Sequence, residues 1–113
     1  MKPYQRRALL AELVRAGHSL STNTLNIAEL YAGMRAGEVV ATEALLGGLE
    51  LYELNALAAR LAGKLKSIWA RKGRTLALAD AIVAAIAIER ECSLLTDNRK
   101  DFPMPEVKFY PLP

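Results

Sequence analysis

The segment Leu76-Ala77-Leu78-Ala79-Asp80-Ala81-Ile82-Val83-Ala84-Ala85-Ile86 constrains this chain more than any other, because ten apolar residues surround a single acid. A helix apolar nearly all round belongs in the interior of a protein or of a bilayer. Length excludes the bilayer: the longest uninterrupted apolar run, Ala81 to Ile88, has eight residues, against about 20 for a span. The pattern therefore predicts a buried helix from a cap at Thr75 to about Glu91. With 113 residues the chain has room for one domain and one core. Cys92 and His18 are the sole members of their residue types, which excludes an internal disulfide and a structural zinc site of four Cys or His ligands. A Ser-His-Asp triad would have to run through His18, and nothing places a serine beside it. The basic start Met1 to Arg7 is followed by Glu12 and Arg15 among the apolar positions, so no signal-peptide core forms. The expectation is a soluble, cytoplasmic protein without a membrane segment.

Around the buried helix, spacing predicts further elements. Tyr4 to Ala16 carries apolar residues at helical spacing and Gly17 follows as a C-cap. His18 to Thr22 fits a brief strand. Asn23 to Ala36 reads as a helix capped by Thr24 or Asn26, with Leu30 and Met34 inward and Gly37 ending it. Glu38 to Leu46 reads as a weaker helix before Gly47-Gly48, and Leu49 to Tyr52 as a short strand. Leu54 to Arg71 is the clearest amphipathic helix, with Leu54, Leu57, Ala58, Leu61, Leu65, Ile68 and Trp69 on one stripe, and Gly73 stops it. Ser93 to Thr96 is expected to leave the core as a strand, Asp97-Asn98 with Pro103 and Pro105 to form loop, and Val107 to Tyr110 to form an edge strand. Helices alternating with short strands imply an α/β sandwich with a mostly parallel sheet.

Asp80 is the most informative side chain. A carboxylate among apolar neighbours has to be protonated, paired or bound to a cation. It is a site candidate unless it lies in the first helical turn, where the positive end of the dipole favours an acid by about 0.3 to 1 kcal/mol. With Thr75 as cap, Asp80 falls beyond that turn. Glu29 has two readings, since Asn26 and Glu29 have capping-box spacing. Asp97 stands where a short strand gives way to loop, the place where open α/β sheets bind ligands, although Asp-Asn is also ordinary turn chemistry. If Glu29, Asp80 and Asp97 share one cleft, their mutual repulsion calls for a hard divalent ion with oxygen ligands, magnesium or manganese. The matching chemistry is phosphodiester cleavage. Between Arg60 and Arg74 six cations occur without an acid, either a phosphate-binding track or the solvated side of an amphipathic helix. Tyr31, Tyr52 and Trp69 are the aromatic candidates for base stacking, with Trp69 also continuing the apolar stripe.

Three blocks, Ile27-Ala28-Glu29-Leu30-Tyr31-Ala32-Gly33-Met34-Arg35, Leu78-Ala79-Asp80-Ala81-Ile82-Val83-Ala84-Ala85-Ile86-Ala87 and Leu94-Leu95-Thr96-Asp97-Asn98-Arg99-Lys100-Asp101-Phe102, together resemble a PIN domain of the VapC toxin type. The resemblance implies a three-layer α/β/α PIN-like sandwich with a mostly parallel, short-stranded sheet. It also implies a magnesium-dependent (or manganese-dependent) endoribonuclease, the usually dimeric toxin of a bacterial toxin-antitoxin pair held by a cognate antitoxin. On that resemblance Glu29, Asp80 and Asp97 are expected as metal ligands, Asn98 as an alternative to Asp97, and Thr96 as the hydroxyl that orients the site. Arg71, Lys72, Arg74 and Lys100 are expected to bind the RNA. One departure from the resemblance stands: the family opens with a central strand ending in Asp, and this sequence is expected to lack that strand. The expectation is a single PIN-like domain over residues 1–113, shortened at its start, that binds metal weakly and cleaves RNA poorly. The rival expectation is a catalytically dead, partner-binding module derived from a PIN domain.

Overall fold

The computed structural model describes residues 3–111, with side chains from residue 9 onward. The chain divides into two compact units, Met1–Glu53 and Leu54–Pro113.

In the first unit, helix α1 spans Pro3–Arg15, starting on a proline whose fixed φ suits a first helical position. Gly17 ends it at φ +90. Its N–H donates to the Val14 carbonyl at 3.0 Å, and the His18 N–H reaches back to the Leu13 carbonyl at 3.0 Å. This pair of bonds satisfies carbonyls the helix leaves open and needs a left-handed residue between them. Strand β1 is Ser21–Asn23, later than the predicted His18 to Thr22. The shift has a local cause: Asn23 is buried and its Oδ1 accepts the Asn26 N–H at 2.9 Å, so it ends the strand and caps α2, Thr24–Gly33. Neither Thr24 nor Asn26 is the cap. Helix α2 also stops at Gly33, short of Gly37, and Leu30 is 44% exposed rather than inward. A short 3-10 turn, Ala36–Glu38, leads into α3, Val39–Gly47. Strand β2, Glu50–Tyr52, pairs parallel with β1, Ser21 opposite Glu50 and Asn23 opposite Tyr52.

The second unit is built on two packed helices, α4 (Ala56–Arg71) and α5 (Leu78–Glu89). Asn55 caps α4 by accepting the Ala58 N–H at 2.8 Å, and its amide donates to Glu89 Oε1 at 2.8 Å, tying the start of one helix to the end of the other. The buried residues of the pair are Ala58, Ala62 and Leu65 of α4 and Ala81, Ala84, Ala85, Ile86 and Ala87 of α5. The predicted stripe of α4 is thus only partly interior, since Leu57 and Ile68 are exposed. Gly73, at φ +86, closes α4 through the same pair of bonds as Gly17: its N–H donates to Ala70 and the Arg74 N–H to Trp69. Thr75 caps nothing. Ala77 is extended (φ −65, ψ 138) and is the cap position, so α5 begins two residues later than predicted. After α5, strand β3 (Ser93–Leu94) pairs parallel with β4 (Lys108–Phe109), both shorter than predicted. The segment between them buries Phe102, Met104 and Val107, and the Phe102 and Phe109 rings meet edge-on at 6.4 Å.

Each unit is helix-rich with one parallel pair of strands, as an α/β reading requires. No described helix is long and apolar enough to cross a membrane.

Candidate functional site

Asp80 lies in the first turn of α5, third after the cap, and is half-buried. The reading that put it beyond the capping turn is overturned by the late start of the helix. The cause is Leu76, which is 3% exposed and whose carbonyl accepts the Lys66 ammonium of α4. Anchoring Leu76 in this way keeps the chain extended through Ala77. Asp80 is therefore favoured by the positive end of the helix dipole.

The turn after β3 is held at several points. Thr96 Oγ1 accepts the Asn98 N–H at 3.1 Å, the hydroxyl-to-backbone turn that these residue types favour. A 3-10 turn, Arg99–Asp101, follows. The Arg74 guanidinium donates to the Lys100 carbonyl. Arg99 donates to the Tyr110 carbonyl at 3.1 Å and lies 5.1 Å over the Phe109 ring. Asp97 is exposed between the Thr96 bond and the Arg74 bond, and Asn98 is exposed beside it.

Glu29 is exposed on α2 of the first unit. Its capping-box reading is overturned, because Asn23 is the cap and Asn26 is the donor to it. Among the described residues no three His, Cys, Asp or Glu side chains gather as a group that could hold a metal ion. Asp80 and Asp97 both lie in the second unit, and magnesium is commonly held by one or two carboxylates with water filling its other positions, so these acids suit such an ion in kind.

Of the four cations expected to meet RNA, Arg71 donates to Ser67 Oγ at 3.1 Å and Lys72 sits 4.5 Å over the Trp69 ring. Arg74 and Lys100 are brought together by the bond from the former's side chain to the latter's backbone. Sequence reasoning did not single out Arg99, and it counted Lys66 with the basic track. The signal for Arg99 was its place in Asp97-Asn98-Arg99-Lys100-Asp101, next to the candidate acid; Lys66 had none, since its partner is a backbone carbonyl ten residues on. Cys92 is half-buried with a free thiol, and His18 is exposed.

A family model described as PIN domain matches residues 3–108. Ribonuclease VapC19 of Mycobacterium tuberculosis, from strains CDC 1551/Oshkosh and ATCC 25618/H37Rv, is 34% identical over 96 residues, which cover 85% of this chain and 77% of that protein. Three solved structures resemble the fold. VapBC2 from Rickettsia felis bound to a DNA fragment from their promoter has a TM-score of 0.74 at 24% identity, over 95% of this chain and 82% of that one. VapBC-1 from nontypeable Haemophilus influenzae has a TM-score of 0.71 at 20% identity, covering 81% and 73%. DNA-bound VapBC from Salmonella typhimurium has a TM-score of 0.69 at 24% identity, covering 78% and 71%.

Proposed function

The chain belongs to the PIN domain family, and from that premise we propose that it is a metal-dependent endoribonuclease, the toxin half of a toxin-antitoxin pair, folded as one domain over residues 1–113. The carrying observation is the identity with Ribonuclease VapC19, 34% along 96 residues. The matched family segment, residues 3–108, takes in Glu29, Asp80, Thr96, Asp97 and Asn98. The solved VapBC structures support a cognate antitoxin as partner. A homodimer and a cytoplasmic location belong to the same proposal.

In this reading Asp80 and Asp97, with Glu29, are the acids toward which magnesium or manganese would be drawn. Such an ion, when bound, activates water and steadies the leaving oxygen in phosphodiester hydrolysis. Weak metal binding, expected from the sequence, belongs to the same proposal. The residues of the chain itself do the rest. Asp80 stands at the start of α5, and Thr96 accepts the Asn98 amide N–H across Asp97. Arg71, Lys72 and Lys100 offer positive charge to the phosphates.

The test is incubation of the protein with single-stranded RNA in millimolar manganese, beside Asp80→Asn. Cleavage by the first at least tenfold above the second is expected. Equal, background-level cleavage would overturn the nuclease reading and favour the catalytically dead, partner-binding alternative, for which Leu57 and Ile68, exposed on α4, supply an apolar surface.

A further inference from the structure

Four bonds fasten the α4–α5 connection and the turn after β3, and the cations nearby are not used alike. Lys66 on α4 spends its ammonium on the carbonyl of Leu76, which directly precedes the cap of α5. The Arg74 N–H is taken by the closing turn of α4 through Trp69. The Arg74 guanidinium crosses to the Lys100 carbonyl, at the end of a 3-10 turn whose last carbonyls lack onward helical partners. At the other end of that turn Thr96 holds the Asn98 amide. The α4–α5 connection is thereby fastened to α4 on one side and to the Asp97-bearing turn on the other. Lys72 is different: its ammonium rests on the Trp69 face, with its donors turned to no backbone group.

We propose that Arg74 is a positioning residue rather than an RNA contact. Its bond to Lys100 links the loop that leads into α5, and so to Asp80, with the turn that carries Asp97 and Asn98. The inference rests on the nuclease reading for its catalytic meaning, but the link itself is a property of the chain. Arg74 presents a planar fork to one backbone carbonyl, so a lysine at this position retains a charged donor within reach of the same oxygen, whereas glutamine offers only a shorter, uncharged amide.

The experiment compares Arg74→Gln, Arg74→Lys and Lys72→Gln in the full chain. Amide hydrogen exchange is read at Asp101 and Phe102, whose N–H groups bond to the Asn98 and Arg99 carbonyls at 3.0 Å. Binding of a single-stranded oligoribonucleotide without divalent ions is measured across a salt series, and kcat and KM wherever cleavage is observed. For Arg74→Gln the expected result is about tenfold faster exchange at these two amides, unchanged RNA affinity and salt slope, and a fall in kcat at constant KM. Arg74→Lys is expected to restore slow exchange. Lys72→Gln is expected to weaken RNA binding and leave exchange unchanged. Exchange at Asp101 and Phe102 that does not respond to Arg74→Gln, or a loss of RNA affinity in that variant equal to that of Lys72→Gln, overturns the proposal. A chain without ribonuclease activity refutes the functional reading alone, because exchange and binding still decide the role of Arg74.

Discussion

Two asparagines carry out one task in the two units, and only one of them had a visible signature. Asn55 precedes the most regular amphipathic pattern in the sequence, yet that pattern placed the helix start at Leu54. Asn23 was hidden because it also ends a strand, and a residue that serves both elements follows neither period. Each accepts an N–H three residues ahead, at 2.8 and 2.9 Å. Removing such a cap costs about 0.5 to 2 kcal/mol. Asn55→Ala is therefore expected to lower unfolding free energy by about 1 kcal/mol in urea titrations, and by somewhat more if the bond to Glu89 contributes. Asn55→Ser keeps a capping oxygen and is expected to recover most of the loss. The side chains proposed for chemistry divide in the same way. The position of Asp80 in an apolar helix was legible, but its distance from the cap was not, since that depends on where Leu76 is anchored, and the anchor is a lysine on another helix.

At the scale of elements, what was legible was the alternation of helices with short strands, the parallel pairing, and the two glycines that end α1 and α4. Strand ends were less legible: two-residue ladders such as β3 with β4 are too brief to impose an alternating pattern on their flanks. One ending carried no sequence signal at all. Helix α5 closes through Glu91, at φ +55, with the Cys92 N–H bonding to the Ala87 carbonyl at 2.9 Å and the Glu91 N–H to Ile88 at 3.2 Å. This is the geometry that Gly17 and Gly73 adopt without cost, imposed here on a residue with a Cβ. Glu91→Gly is expected to raise the stability of the chain by about 0.5 to 1 kcal/mol, net of the extra freedom glycine gains when unfolded, seen as a melting temperature higher by a few degrees. The reverse change at an equivalent position, Gly73→Ala, is expected to lower it by a similar amount.

For the whole molecule the excess charge is unevenly placed along the sequence. Ten of the fifteen Lys and Arg, but only six of the twelve Asp and Glu, follow residue 53. A net charge of +3 says little about partners, whereas this distribution concentrates cations in the segment that bears Asp80 and Asp97. If Arg71, Lys72 and Lys100 meet phosphates, the combined variant Arg71→Gln, Lys72→Gln, Lys100→Gln should reduce the slope of log affinity for single-stranded RNA against log salt by roughly 2, at roughly 0.7 for each phosphate contact. A slope unchanged within error would assign these cations to the solvated face of α4 and its neighbour. The family was legible from three separated blocks because each combines a special residue with its structural setting.

The alanines along α4 and α5 have a bearing on how this protein can change. Ala58, Ala81, Ala84 and Ala85 are 0% exposed and Ala62 is 1% exposed, and alanine has no side-chain rotamer to move aside for a larger neighbour. Each added methylene in so tight a seam forces the backbones apart, with overpacking costs of about 1 to 3 kcal/mol. A random library selected only for folding should leave these five positions nearly invariant while Leu57 and Ile68, on the same helix, tolerate almost any residue. Such a chain has room to diversify on its outside and almost none along the seam between α4 and α5.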